Sequence, residues 1–305
     1  MTRTKKPNAR LYVLIARYAP FAAVFRRGPS KSVLLSKWDL RNDTIEHGQW
    51  LKGHIYERRC DLSPDGELLI YFAASYKPPL RSWTAISRLP YLTALTLWKK
   101  GDGWGGGGLF SKSGQILLNH RPNEITLAEG FTLPKRFSVE LFGDRPGWGE
   151  DDPIWSMRLR RDGWKMVQLS DDVKPDWKAK VVWKLSMPTI WQKPHPLWSE
   201  RFTLQMAILG MKERDGPWYV IDYALLDRNG DVAAIGRCDW ADWAPNGDLL
   251  FAQSGCIYRL SPKHRKFGLI ESSRVIADFN ELKFQPVQAP PEATMWPKAL
   301  KPKRK

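Results

Sequence analysis

Cysteine is scarce in this chain. Three in 305 residues (Cys60, Cys238 and Cys256) are an odd set with no C-x-x-C pair, so no disulfide framework is implied. Long apolar runs are missing too. The longest, Leu11 to Phe25, is broken by Arg17 and Pro20 and is too short to span a bilayer. The basic residues 1–10 ahead of it give the start a superficial likeness to a signal peptide. Arg17 interrupts the would-be apolar stretch, however, and Arg26 and Arg27 stand where small residues would precede a cleavage site. A first β-strand and a cytoplasmic protein are the expectation.

Catalytic signatures are equally thin. There is no Walker A sequence, no G-x-S-x-G elbow and no H-E-x-x-H. His47, His54, His120, His195 and His264 form no ligand-like pair at i, i+2 or i+4. Gly101 to Gly106 satisfies G-x-G-x-x-G, but a strand-like run follows where phosphate binding needs a helix N-terminus. Asp227, Asn229 and Asp231 alternate like the start of a calcium loop, yet Val232 replaces its glycine and Cys238 its final glutamate. A hairpin turn at 228–230 explains them better. No cofactor or metal is assigned, and an enzyme is the less favoured reading.

Acid is also short. Asp and Glu number 32 against 48 Lys and Arg, for a net charge of +16. This excludes an acidic solvating protein and raises polyanions as partners. Much of the excess lies at the ends. Residues 1–10 carry Arg3, Lys5, Lys6 and Arg10, and residues 298–305 carry Lys298, Lys301, Lys303, Arg304 and Lys305, with no acid in either stretch.

What the chain has is tryptophan, 16 of them, and a repeat. Asp61-Leu62-Ser63-Pro64-Asp65-Gly66-Glu67-Leu68-Leu69 aligns with Asp242-Trp243-Ala244-Pro245-Asn246-Gly247-Asp248-Leu249-Leu250. Phe110 to Leu118 is a third version, and Arg160 to Trp164 and Glu213 to Gly216 are weaker ones. Each places a residue pair that tolerates positive φ between strand-like runs, as hairpin turns require. An aromatic, a charged residue and Leu recur at 38–40, 183–185 and 258–260, each read as the end of a later strand. Trp98-Lys99 ends another run in the same way. A unit of roughly 40–50 residues holding four short strands has the size of a propeller blade.

Residues 32–73 resemble a WD40-type β-propeller repeat. Trp38-Asp39 matches the dipeptide closing the third strand, Gly53-His54 the pair before the innermost strand, and Ser63 to Gly66 the first turn. The other units lose Gly-His and Trp-Asp and are also similar to TolB-like blades. The fold expected is all-β, a single propeller of six blades (five to seven allowed) spanning 11–285, between a basic tail at 1–10 and a Pro/Lys-rich tail at 286–305. Strand 11–16 is expected to close the ring beside 274–278. Trp38, Trp98 and Trp183 are expected to pack between blades.

Long loops on a rigid scaffold are where binding concentrates. Tyr76, Arg81 and Trp83 fall in or beside one such loop and Trp104 in another, which the propeller reading places on the same face. Arg58, Arg59 and Arg237, near the start of innermost strands, are candidates for lining a central channel, and His54 is a further candidate binding residue. Ion pairing with Asp61 and Asp239 is the favoured role for the arginines. Pro146 to Glu150 and Trp191 to Trp198 are aromatic loops without an assigned face. The function expected is a monomeric, non-enzymatic scaffold presenting Trp-rich loops to a protein or peptide. The alternatives are a nucleic-acid- or polyanion-associated protein, and a propeller hydrolase or lyase with its site at the channel mouth.

Overall fold

A computed structural model describes residues 8–28, 31–111, 114–171, 173–230, 232–263, 266–268 and 270–298. Most of the two basic tails lies outside these residues, as do Lys112, Ser113, Asp231 and His264 of the sequence reading. Within them the chain is all-β, with five sheets and one eight-residue helix.

The first sheet runs β1 (Arg10–Ile15), β2 (Phe21–Arg27), β3 (Ser32–Asp39), β4 (Thr44–Lys52) in chain order. In the second, β5 (His54–Ile55) and β6 (Asp61–Leu62) both pair with β7 (Leu68–Ala74), followed by β8 (Ser82–Arg88) and β9 (Ala94–Lys100). The third holds β10 (Gly108–Phe110), β11 (Gln115–Leu118) and β12 (Ser138–Leu141), with β12 parallel to β11. Helix α1 (Ile154–Arg161) precedes the fourth sheet, made of β13 (Lys165–Gln168), β14 (Val181–Pro194), β15 (Phe202–Glu213), β16 (Tyr219–Asp227) and β17 (Val232–Arg237). The fifth is β18 (Trp240–Trp243), β19 (Leu249–Gln253), β20 (Cys256–Leu260) and β21 (Arg274–Asp278).

The local chemistry of the turns accounts for much of this. Gly66 and Gly247 adopt φ of +75° and +87° in the β6–β7 and β18–β19 turns, as the aligned segments require. Ser63 closes its turn twice: its N–H donates to the Leu68 carbonyl at 2.8 Å and its Oγ accepts the Leu68 N–H at 2.9 Å. The turn at 228–230 is likewise a hairpin turn, with the Gly230 N–H on the Asp227 carbonyl at 3.1 Å.

Gly163 is different. It sits at φ +93° just past α1, where the Trp164 N–H reaches the Leu159 carbonyl (2.9 Å) and the Gly163 N–H the Arg160 carbonyl (3.2 Å). This is a helix C-cap, not the expected hairpin turn, because left-handed glycine serves both. The 213–216 turn then joins β15 to β16 within the fourth sheet. Five sheets therefore stand where six blades were counted.

Two further expectations are corrected. β1 pairs with β2 at the edge of the first sheet and β21 with β20 at the edge of the fifth, so the β1–β21 pairing is not formed. Trp183 lies near the start of β14, not the end of a strand, and is half-buried, whereas Trp38 and Trp98 are fully buried.

By contacts the chain forms two compact units, one centred on Ser30–Arg158 and the other on Leu159–Leu282. In the first, β7 reads Leu-Leu-Ile-Tyr-Phe-Ala-Ala and is buried throughout, the pattern of a strand covered on both faces. Leu68, Ile70, Ile86, Trp98, Phe110, Ile116 and Leu118 make one core cluster joining the second and third sheets. Trp296 packs against this cluster, 5.2 Å from the Phe137 ring, and the Pro297 carbonyl accepts from Arg136 at 2.6 Å. In the second unit, buried His195 stacks on Trp198 (4.6 Å) and meets Trp243 edge-on (4.7 Å). Its Nε2 donates to the Gly247 carbonyl at 2.9 Å and its Nδ1 accepts from Leu197 and Trp198 N–H groups, so the ring is a neutral core element.

Candidate ligand-binding surface

Two Gly-Trp-Gly triplets, 103–105 and 147–149, lie on loops of the first unit that run against each other. The Gly105 N–H donates to the Gly149 carbonyl at 2.7 Å, and a methyl added at Gly105 would fall 2.5 Å from the Gly147 carbonyl. Glycine is required there because the backbones touch. Each indole is left outside, with Trp104 and Trp148 54% and 59% exposed. Tyr76 joins them from the β7–β8 loop. It is 53% exposed, and a Cβ at Gly103 would lie 3.5 Å from its hydroxyl. Three exposed aromatic rings thus come from three abutting loops.

The floor beneath is tied down by Arg59. Its guanidinium donates to the carbonyls of Gly103 (2.6 Å) and Gly105 (2.7 Å) and to the Asp151 carboxylate (3.1 Å), and it lies over the rings of Tyr56 and Phe72. Arg59 and Arg58 belong to the 3-10 turn Glu57–Arg59 that separates β5 from β6. Both side chains make internal contacts. Arg58 pairs with Glu57 at 3.2 Å and lies over Trp155. Arg237, in the other unit, pairs with Asp222 (3.0 Å) and Glu213 (3.6 Å). Asp61 accepts the Phe110 N–H and Asp239 the Leu11 N–H.

The other expected residues sort around Tyr76. His54 stands 6.1 Å from its ring, and the hydroxyls of Tyr56 and Tyr76 hydrogen-bond. Arg81 shapes the loop through its carbonyl, which accepts the N–H groups of Ser75 and Tyr76 at 2.9 Å, and its side chain is exposed. Trp83 is half-buried in β8 between its cross-strand partners Ala73 and Lys99.

A charged rim adjoins the platform. The buried Lys100 ammonium bridges Asp102 (3.0 Å) and Glu124 (2.8 Å), and Arg121 bridges the same two carboxylates at 3.0 and 3.3 Å while lying over Trp148. Burial pulls the Asp102 carboxyl upward, but Lys100, the Trp104 N–H and Arg121 together hold it below its ordinary value. It is therefore no proton-donating acid. Burial pushes the Cys60 thiol far up, which removes it as a nucleophile. Among the described residues no three His, Cys, Asp or Glu converge as metal ligands would. The chemistry available is stacking on flat rings and charged hydrogen bonds at their edge.

The sequence reading missed Tyr56, Arg121, Asp151 and the place of Trp148. The repeated Gly-Trp-Gly triplet was the one local signal that could have linked Trp148 to Trp104.

No family model matches the chain, and no curated protein matches it. Among solved structures, it is similar to an uncharacterized protein from Listeria monocytogenes EGD-e, with a TM-score of 0.31 and 11% identity over 90% of this chain and 85% of that one. Among the described residues no helix is long and apolar enough to cross a membrane.

Proposed function

We propose that the chain is a non-enzymatic binding module of β-propeller type, whose five sheets are blades and whose Tyr76–Trp104–Trp148 face receives a protein or peptide. The propeller reading is supported by successive sheets with strands in chain order and by equivalent first turns at 63–66 and 244–247. One observation carries the function. Folding uses Gly105, Gly147 and Gly149 of the two triplets for close backbone approach, yet leaves both indoles in water. Exposed aromatic rings on a braced surface are the groups that most often anchor partners. A peptide selected from a displayed library should lose at least about tenfold in affinity against the W104A/W148A double variant. Equal binding to both proteins would overturn the assignment.

A second reading has its own observation. Lys77, Arg81 and Lys99 are exposed beside Tyr76 and Trp83, a combination suited to stacking single-stranded bases while neutralising phosphates. It requires affinity for an oligonucleotide that falls steeply with salt. A flat salt response leaves the peptide reading.

A further inference from the structure

A second aromatic group, in the other unit, lies against a cation. Trp183 near the start of β14, Trp177 in the loop before it and Trp218 in the β15–β16 turn form a chain of inclined rings. Trp177 and Trp183 lie 5.3 Å apart at 69°, and Trp183 and Trp218 6.0 Å apart at 55°. The outer two are 56% and 41% exposed. Into this box reaches Lys212, its ammonium 4.3 Å from the Trp177 centroid and 5.9 Å from that of Trp183.

The occupant arrives there by an irregularity of the backbone. Trp183 pairs across the sheet with Met211, so simple alternation would send the next side chain to the opposite face. Lys212 instead adopts φ +57°, a left-handed conformation that lysine seldom takes. The turn is held closed by the Lys212 N–H on the Trp218 carbonyl (2.6 Å) and the Glu213 N–H on the Pro217 carbonyl (3.1 Å). On the far side, the Arg214 guanidinium donates to the Trp177 carbonyl, and the Asp176 N–H to the Val182 carbonyl at 2.8 Å. The walls are therefore fixed independently of the ammonium between them.

We propose that Trp177, Trp183 and Trp218 form a cage for an alkylated ammonium ligand, and that Lys212 occupies it as an intramolecular stand-in. The physical preference follows from hydration. A primary ammonium is a compact, strongly hydrated charge, and it loses part of that shell beneath the indoles. A trimethylated ammonium carries the same charge with little hydration and presents methyl groups to the ring faces, where cation–π attraction is strongest. Exchange returns Lys212 to water and places the weakly hydrated cation against tryptophan.

The test uses the whole protein with 15N-labelled indoles and choline chloride as probe. A trimethyllysine peptide serves as the polypeptide-borne form of the same group, and 3,3-dimethylbutan-1-ol as the neutral isostere of choline. Choline should shift the Trp177, Trp183 and Trp218 indole signals saturably. It should bind about tenfold more tightly to K212A, and to K212G, where glycine accepts the left-handed backbone without strain. W218A should weaken binding by a similar factor, and the neutral alcohol should bind at least about tenfold less well than choline. A peptide tighter than choline would support the cage and assign its ligand to a modified polypeptide. If neither Lys212 variant gives a saturable shift with either cation, or if the alcohol binds as well as choline, the cage assignment fails.

Discussion

Arg59 donates its Nε–H to the Asp151 carboxylate at 3.1 Å, joining the turn between β5 and β6 of the second sheet to the segment that carries Trp148. The same guanidinium fills the carbonyls of Gly103 and Gly105 on the Trp104 loop. One buried cation thus braces the loops beneath two of the exposed indoles.

Removing that cation while keeping its volume, as in Arg59→Met, leaves the buried Asp151 carboxylate and two carbonyls without their donor. The expected loss is about 3–5 kcal/mol in urea unfolding, since a broken buried pair costs more than the pair was worth. Asp151→Asn keeps an acceptor for Arg59 and should cost less, about 1–3 kcal/mol. A loss below about 1 kcal/mol in the arginine variant would show that the loops are held by other contacts.

The glycines of this loop separate into two kinds. At Gly107, φ is +79° and a methyl would lie 2.1 Å from the Arg59 carbonyl oxygen, whereas at Gly101 nothing stands within 4 Å. Gly107→Ala should therefore destabilise by more than about 2 kcal/mol, and Gly101→Ala by no more than about 0.5 kcal/mol. Thermal unfolding of the two variants side by side reads the difference.

These examples mark what could be read from the chain alone. The turns at Gly66 and Gly247 were legible because positive φ and an Asp- or Asn-led hairpin are local requirements. Gly163 was misread as a hairpin turn because the same left-handed glycine also caps a helix. Tyr76 and Trp104 were legible as exposed loop aromatics, but their meeting with Trp148 was not. It depends on Gly105 against Gly147 and on Arg59 contacts spanning 44 and 92 residues, for which no sequence period exists. Arg58 and Arg59 were candidates for a channel only if a strand began at Cys60. They sit instead in the 3-10 turn Glu57–Arg59 between β5 and β6, where both side chains meet internal partners.

His120 gives the platform a pH dependence. Its Nδ1–H donates to the Glu124 carbonyl, and its Nε2 accepts from the Thr84 hydroxyl, which itself accepts the Gly107 N–H. Burial keeps the ring neutral and lowers its pKa from 6.5 to about 4. Above pH 6.5 both folded and unfolded chains hold it uncharged, and the stability is fully present. As pH falls from there to about 4, the unfolded chain takes up a proton that the folded one refuses, and about 3 kcal/mol is lost. Below pH 4 the loss levels off. Stability measured by urea across pH 7 to 4 should fall more steeply in the native chain than in His120→Gln, and parallel curves would mean that His120 is not held neutral.

The two roles of tryptophan can be separated by stability alone. Trp98 is 1% exposed within the cluster joining the second and third sheets, so Trp98→Ala should cost about 3–5 kcal/mol through lost burial and a cavity. Trp104 and Trp148 are more than half exposed, and their flanking glycines make the backbone contacts without them. Trp104→Ala and Trp148→Ala should each stay within about 0.5 kcal/mol of the native chain in the same unfolding assay. If either costs as much as a core residue, its indole serves the fold and the platform loses that ring. If both are neutral, the rings are dispensable for folding, and the loss of peptide binding in the double variant can be read as loss of contact.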